Sequence, residues 1–410
     1  MLSRRGSGSR LRSASGGPKG RSAATLKLAL AGEGLMLIGV PAETDLAETR
    51  VAATPETVKK FVGLGAEVAV EHGAGAKAGF LDAEYQSAGA RLVDTDPALG
   101  ADVVLKVRRP NAGEISRLKP DAVIIATMDP YDHHDAIETM AKAGVAAFAM
   151  ELLPRITRAQ SMDVLSSQAN LAGFRAVIDA SAEYGRAVPM MMTPAGTVPA
   201  AKLFVMGVGV AGLQAIATGR RLGAVVTATD VRPATKEQVE SLGAKFVAVE
   251  DEEFKQAETA GGYAKEMSDA YKAKQADLIS AHIAKQDIVV TTALIPGRPA
   301  PRLVSADMVK SMRAGSVIVD LAVERGGNCE LSKPGELIFS DNGVKIVGYS
   351  NVTRIPASAS ALYARNLYAF AETLIDKETK SLAVNWDDEL AKATCLTRGG
   401  AIVHPNFMPQ

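Results

Sequence analysis

From Met36 onward, short apolar runs alternate with stretches that place apolar residues at helical spacing. The runs at 37–40, 67–70, 103–107, 122–126 and 146–150 are rich in Val, Ile, Leu and Ala and predict strands. Between them, residues 56–64 and 134–143 predict helices. Short apolar strands separated by helices are the signature of a parallel sheet covered on both faces. Residues 165–187 read as one long helix, with Leu165, Ala169, Ala172, Ala176 and Ile178 as apolar positions, and this helix is expected to bridge two domains. A second series of strands follows at 203–206, 225–229, 288–292, 317–320 and 346–347, and after Tyr349 the pattern turns helical over 356–376. The expected fold is α/β, with two doubly wound domains on parallel sheets joined by long helices. Residues 36–165 with 357–410 are expected to form the first domain, completed by the C-terminus, and residues 166–356 the second.

Composition narrows the picture. A chain of 410 residues with 47% hydrophobic content accommodates two or three well-filled domains. The formal net charge is zero, so no overall field draws nucleic acid. Residues 1–35 carry seven Lys/Arg against the single acid Glu33, and their Arg, Ser and Gly content reads as a disordered basic extension. A transit-like leader and an upstream start codon before Met36 are the alternatives. Cys329 and Cys395 are the two cysteines, which fits a reducing compartment without a disulfide framework. The five histidines show no metal spacing, so no metal site is expected. No run of roughly 18 apolar residues predicts a membrane span.

The strongest local motif is Gly207-x-Gly209-x-x-Gly212, which follows an apolar run and opens an amphipathic helix, with Val210 counted among its cofactor-binding residues. Each glycine has a physical task. Gly207 permits a tight turn, Gly209 lets backbone approach a pyrophosphate, and Gly212 lets helix pack close to strand. The pyrophosphate then lies at the positive end of the helix. Asp230 ends the next strand, where a carboxylate accepts the adenosine ribose hydroxyls and repels a 2′-phosphate. The reading is a Rossmann-like domain that takes NAD(H). Val231 and Arg232 follow the acid. Arg232 either blurs that preference or flanks the adenine.

Two loops follow strands further on, Thr291-Thr292-Ala293-Leu294-Ile295-Pro296-Gly297 and Asp320-Leu321-Ala322-Val323-Glu324. Ligands in open α/β sheets bind beyond the carboxyl ends of strands, so Thr292, Ala293 and Leu294 are expected to wall the nicotinamide pocket. Residues 251–274 form a polar insertion carrying Gly261–Gly262, which reads either as a binding loop or as a solvated excursion. Upstream, PRITRAQSMDVLSSQANLAGF (154–174) concentrates Arg155, Gln160, Asp163 and Ser166 in one short span. Helix capping by Ser161 or Asp163 accounts for part of this polarity.

From Met36 on, the chain resembles the alanine dehydrogenase and transhydrogenase superfamily. The resemblance rests on VPAETDLAETRVAATPETV (40–58) and DVVLKVRRP (102–110), together with the fingerprint. In alanine dehydrogenases the equivalents of Arg50 and Lys106 hold the substrate acid, and a histidine follows the strand that here ends near Ala126. This chain has Thr127-Met128-Asp129-Pro130 there, and His133 and His134 come later. The segment at 154–174 resembles the NAD(H)-binding component of proton-translocating NAD(P) transhydrogenases. That resemblance implies that Arg155 contacts the nicotinamide carboxamide. It implies that Gln160 reaches the nicotinamide ribose and the facing NADP(H) component, and that Asp163 and Ser166 fix the ring. It makes the 251–274 insertion a closing loop with Tyr263 and Met267 as its contacts. It further implies a homodimer, with the membrane sector and the NADP(H) site on partner subunits, on the cytoplasmic face of the bacterial inner membrane. The rival readings are an alanine dehydrogenase-like amino-acid dehydrogenase and an NAD-sensing module without chemistry.

Overall fold

Two runs of apolar strands need two sets of covering helices, and the chain supplies them. The computed structural model describes residues 35–255, 267–295 and 297–408, apart from the side chains of Lys255 and Asn351. Residues 1–34 of the expected basic extension 1–35, the loop centre 256–266 and Pro296 lie outside the described residues. Along the chain the strands are β1 (Leu37–Val40), β2 (Glu67–Glu71), β3 (Arg91–Val93), β4 (Val103–Arg108), β5 (Val123–Thr127) and β6 (Ala146–Ala149). An exposed hairpin follows, β7 (Met191–Thr193) and β8 (Gly196–Val198). Then come β9 (Lys202–Met206), β10 (Val225–Thr229), β11 (Lys245–Phe246), β12 (Ile288–Thr291), β13 (Val317–Asp320), β14 (Leu337–Phe339) and β15 (Lys345–Val347). The C-terminal region adds β16 (Ile375–Asp376), β17 (Ser381–Leu382), β18 (Cys395–Arg398) and β19 (Ala401–Ile402). Four helices matter most below: α1 (Val164–Glu183), α2 (Val210–Arg221), α3 (Asp269–Ile283) and α4 (Pro356–Glu372).

The first sheet runs β19-β18-β6-β5-β4-β1-β2-β3, with β1 to β6 parallel. The second runs β11-β10-β9-β12-β13-β15-β14, with only β14 antiparallel. Both are doubly wound. Strand order reverses between β1 and β4 in the first sheet and between β9 and β12 in the second. Loops diverge at such points and leave a crevice at the carboxyl edge.

The central strands of both sheets are buried on both faces. Ile38, Val104, Leu105, Ile124 and Ile125 are inaccessible in the first sheet, as are Phe204, Val205, Val289 and Val290 in the second. Each such large side chain contributes roughly 1.5–3 kcal/mol of burial. The N-terminal turn of α1 packs in the first core through Val164, and Ala176, Val177 and Ala180 pack in the second. Helix α4 returns to the first core, where the Tyr363 hydroxyl donates to Val107 O at 3.0 Å and accepts from Thr127 N at 3.0 Å. It thereby ties the ends of β4 and β5 together. The last strand pair, β18–β19, joins the first sheet antiparallel to β6.

Candidate dinucleotide site

At the second switch point the glycines sit where the stereochemistry of the motif requires them. Gly207 has φ +99°, a conformation that side chains disfavour. A Cβ on Gly212 would lie 1.9 Å from Gly207 O, so only glycine lets α2 approach the end of β9. Among the described residues, a Cβ on Gly209 meets nothing within 4 Å. Gly209 is the N-cap of α2 and no side chain caps the first turn. The helix start therefore keeps N–H donors without side-chain acceptors. Across the switch point, the Thr292 hydroxyl donates to Gly207 O at 2.9 Å.

A cleft of about 590 Å³ opens beside this turn, lined by Asp230, Val231, Met267, Tyr271, Gln275 and Met308 among others. The lining is mostly apolar with Asp230 at one edge, which suits a flat heteroaromatic group attached to a polyhydroxylated ring. Tyr271 and Gln275 are contributed by α3, which starts just after the polar insertion. Sequence reasoning missed them because nothing local distinguishes them from other residues of an exposed helix. The insertion's stems are pinned: Glu253 accepts Ser268 Oγ at 2.7 Å, and the Phe254 and Tyr271 rings stack at 6.5 Å. Tyr263 lies outside the described residues, whereas Met267 lies in the cleft wall.

Asp230 ends β10. Its Oδ2 accepts Val208 N at 2.7 Å, and its Oδ1 accepts Arg232 N and Nε, each at 2.9 Å. The Arg232 side chain thus folds back on the acid. Val231 is exposed beside it, as is Val210 at the start of α2.

The loop after β12 is held from behind by the loop after β13. Asn328, fully buried, accepts Ala293 N at 3.0 Å and donates to Ala293 O at 2.9 Å and Pro301 O at 2.8 Å. Asp320 accepts Cys329 N at 2.9 Å and Ser332 Oγ at 2.6 Å. Leu294 is left exposed at the tip. The available sequence signal for Asn328 was the preceding Gly326–Gly327 pair, both with positive φ.

Of the polar residues at 154–174, two engage each other. Asp163 is the N-cap of α1, its Oδ1 accepting Ser166 N at 2.9 Å and its Oδ2 accepting Ser166 Oγ at 2.6 Å. Capping by Asp163 therefore accounts for two of the four. Arg155 and Gln160 remain exposed on the short turn that precedes the helix. Two turns beyond Ser166, α1 meets α2, and a Cβ on Gly173 would lie 2.0 Å from Ala211 O. Seven residues of helix place Ser166 about 10 Å from that contact along the axis.

The first switch point carries a second, polar cleft of about 580 Å³, lined by Glu43, Asp45, Arg108, Arg109, Asp129 and His133, with Glu324 from the turn after β13. Arg50 and Lys106 lie beneath this surface and are engaged within the chain. Arg50 donates to Glu48 through Nε and Nη2, each at 2.7 Å, and to Gln168 Oε1 at 2.9 Å. Burial alone would raise the Glu48 pKa, but hydrogen bonds and charge from Arg50, with Arg108, hold it down at about 2. Lys106, 1% exposed, pairs with Glu114 at 2.8 Å and Glu43 at 3.2 Å. Burial disfavours its charge, and the two carboxylates outweigh that and raise its pKa. The sequence spacing set His133 apart from the family's histidine position, but the fold brings it to this cleft, with Nε2 3.5 Å from Asp129 Oδ2. Arg325, beyond β13, closes one side by pairing with Asp129 and Asp132.

Among the described residues, no group of three or more His, Cys, Asp or Glu side chains could hold a metal, and no helix is long and apolar enough to cross a membrane. Residues 39–172 match the family description "Alanine dehydrogenase/PNT, N-terminal domain", and residues 176–405 match "Alanine dehydrogenase/PNT, C-terminal domain". An NAD(P) transhydrogenase alpha subunit from Rhodospirillum rubrum, named as the first portion of that subunit, is 55% identical over 383 residues, covering 92% of this chain and 100% of that one. A solved transhydrogenase structure from Sinorhizobium meliloti superposes with a TM-score of 0.82 at 61% identity, covering 90% of this chain and 100% of the other. A solved L-alanine dehydrogenase superposes less closely, with a TM-score of 0.74 at 27% identity over 91% of this chain and 98% of the other. The chain belongs to the alanine dehydrogenase/PNT family, and within it stands with the transhydrogenase subunits rather than with the alanine dehydrogenases.

Proposed function

We propose that the chain is the NAD(H)-binding component of a proton-translocating NAD(P) transhydrogenase. Its partners carry the membrane sector and the NADP(H) site, and hydride passes between the two nucleotides, coupled to proton movement. The assembly works as a homodimer of this component, held at the cytoplasmic face of a bacterial inner membrane. The nicotinamide ring supplies the hydride chemistry when bound. The chain's own residues supply placement.

The uncapped start of α2 and the open face of Gly209 fit a pyrophosphate. Asp230 and Val231 flank the adenosine, with Met267 and Tyr263 on the closing loop. Thr292, Ala293 and Leu294, backed by Asn328, wall the nicotinamide side. Arg155 and Gln160 meet the ring and its partner, while the Asp163–Ser166 pair fixes the turn that carries them. Direct transfer between two rings needs them close, aligned and shielded from water, so these are positioning groups.

What supports this reading over an amino-acid dehydrogenase is the 55% identity to a transhydrogenase alpha subunit over 92% of this chain, against 27% to a solved L-alanine dehydrogenase. Arg50 and Lys106 are paired within the chain with Glu48, Glu43 and Glu114. The test is to titrate the isolated chain with NADH and then mix it with an NADP(H)-carrying transhydrogenase component. NADH binding followed by hydride transfer in the mixture is expected. Pyruvate- and ammonia-dependent NADH oxidation by the isolated chain would establish the alanine dehydrogenase-like alternative instead. Binding without any transfer would establish the sensing module.

A further inference from the structure

Every acceptor direction of the Asp230 carboxylate is used within the chain. Oδ2 accepts Val208 N at 2.7 Å and Arg232 Nη2 at 3.1 Å, and Oδ1 accepts Arg232 N and Nε, each at 2.9 Å. An ionised carboxylate has about four lone-pair sites. Ribose hydroxyls therefore cannot add to this set, and one donor must give way. Val208 N and Arg232 N are fixed by the backbone turn. The movable donor is the Arg232 guanidinium, whose side chain is 34% exposed against 7% for Asp230.

A guanidinium beside the adenosine ribose has a second meaning. Its planar fork suits a phosphate, and an arginine at this place in a dinucleotide fold accommodates a 2′-phosphate. We propose that Arg232 is a masked receptor for a 2′-phosphate and that Asp230 is its mask. Selectivity against 2′-phosphorylated nucleotides then belongs to the pair and not to the acid alone. The carboxylate repels the phosphate and also occupies the group that would bind it. Without the carboxylate, the same cleft takes 2′-phosphoadenosine ligands. This inference rests on the nucleotide-binding reading above and goes beyond it in naming what sets the choice between the two dinucleotides.

A merely structural role for Arg232 is the competing account, since its Nη2 also donates to Val208 O at 3.2 Å. Calorimetric titration of the full chain with 5′-ADP and 2′,5′-ADP separates the two. The wild type is expected to prefer 5′-ADP. Asp230→Ala is expected to bind 2′,5′-ADP about tenfold or more tightly than the wild type does, and adding Arg232→Ala should abolish that gain. No gain in Asp230→Ala, or a gain that survives in the double variant, overturns the proposal. Because Asp230 also anchors Val208 N, Arg232→Ala alone provides a check that keeps the acid in place. It should bind 5′-ADP and still reject 2′,5′-ADP, and admission of 2′,5′-ADP by this variant also overturns the proposal. A wild-type chain that binds neither 5′-ADP nor NADH would instead defeat the nucleotide-binding reading itself.

Discussion

Gly173 in α1 lies so close to Ala211 in α2 that a Cβ on the glycine would stand 2.0 Å from the Ala211 carbonyl oxygen. This contact sets the distance between the polar turn at 155–166 and the uncapped helix start at Gly209. The clash is with backbone, so it cannot be relieved by a rotamer change. Gly173→Ala should cost about 1–3 kcal/mol, read as a lower urea midpoint. It should also weaken NADH binding by shifting one end of the site against the other. Wild-type stability in the variant would show that the helices separate freely.

Gln160 is exposed, and among the described residues its side chain makes no hydrogen bond that shortening it would break. Gln160→Asn should leave NADH affinity nearly unchanged and slow hydride transfer to the NADP(H)-carrying partner by tenfold or more, about 1.4 kcal/mol of barrier. Single-turnover transfer measured in the reconstituted mixture decides this. An unchanged rate removes Gln160 from ring placement.

Among the described residues, Lys106 is the one cation paired with both Glu43 and Glu114, in a nearly inaccessible position. Lys106→Met leaves Glu43 and Glu114 buried without their cation and should destabilise the fold by about 3–5 kcal/mol. Chemical denaturation is the readout. A variant as stable as the wild type would mean that the cation is held there for a ligand and not for the fold.

Glu151 gives a pH dependence whose sign can be worked out. Burial raises its pKa to about 7, with the nearby charge of Asp129 adding to the shift. Hydrogen bonds from the backbone N–H groups of Met128 and Asp129 to Oε1 only partly oppose this, and Oε2 has no hydrogen-bond partner among the described residues. The folded state therefore holds a proton that the unfolded chain releases near the ordinary value of 4.5. Stability from this group is fully present below about 4.5 and is lost as pH rises to about 7, by up to about 3 kcal/mol. Glu151→Gln keeps an acceptor for the two N–H groups and removes the titration. Urea midpoints of the variant should fall less between pH 5 and pH 8 than those of the wild type. Parallel pH profiles would assign the slope to other groups.

Legibility from sequence followed the range of the physics. The fingerprint glycines answer local constraints, a turn at Gly207 and a close approach at Gly212, so their spacing alone places them. Strands β1 and β13 coincide with the expected runs because burial on both faces leaves apolar stretches. The strand Cys395–Arg398 was not expected, since its partner lies far away in the chain. Thr397 Oγ1 donates to Val145 O across 252 positions, and the four residues Cys395–Arg398 carry no continuous apolar run. The pairing of Arg50 with Glu48 was local but ambiguous, because a neighbouring acid in sequence need not face its base. The Lys106–Glu43–Glu114 group was out of reach, since the turns after β1 and β4 must fold before those side chains meet. His133 reached the polar cleft for the same reason.

The placement of β18 and β19 also has a temporal consequence. The nucleotide sheet is drawn from one continuous stretch, 202–347, whereas β6 at 146–149 receives its neighbour only from residues 395–398. A ribosome adding about 5–20 residues per second needs roughly 10–50 s to travel between them. Throughout that interval the growing chain carries β6 as an unpaired apolar edge, and the second sheet can close only once residue 347 has been made. The window for misassembly during synthesis is therefore written into the order of the strands, and the arrival of residues 395–398 ends it.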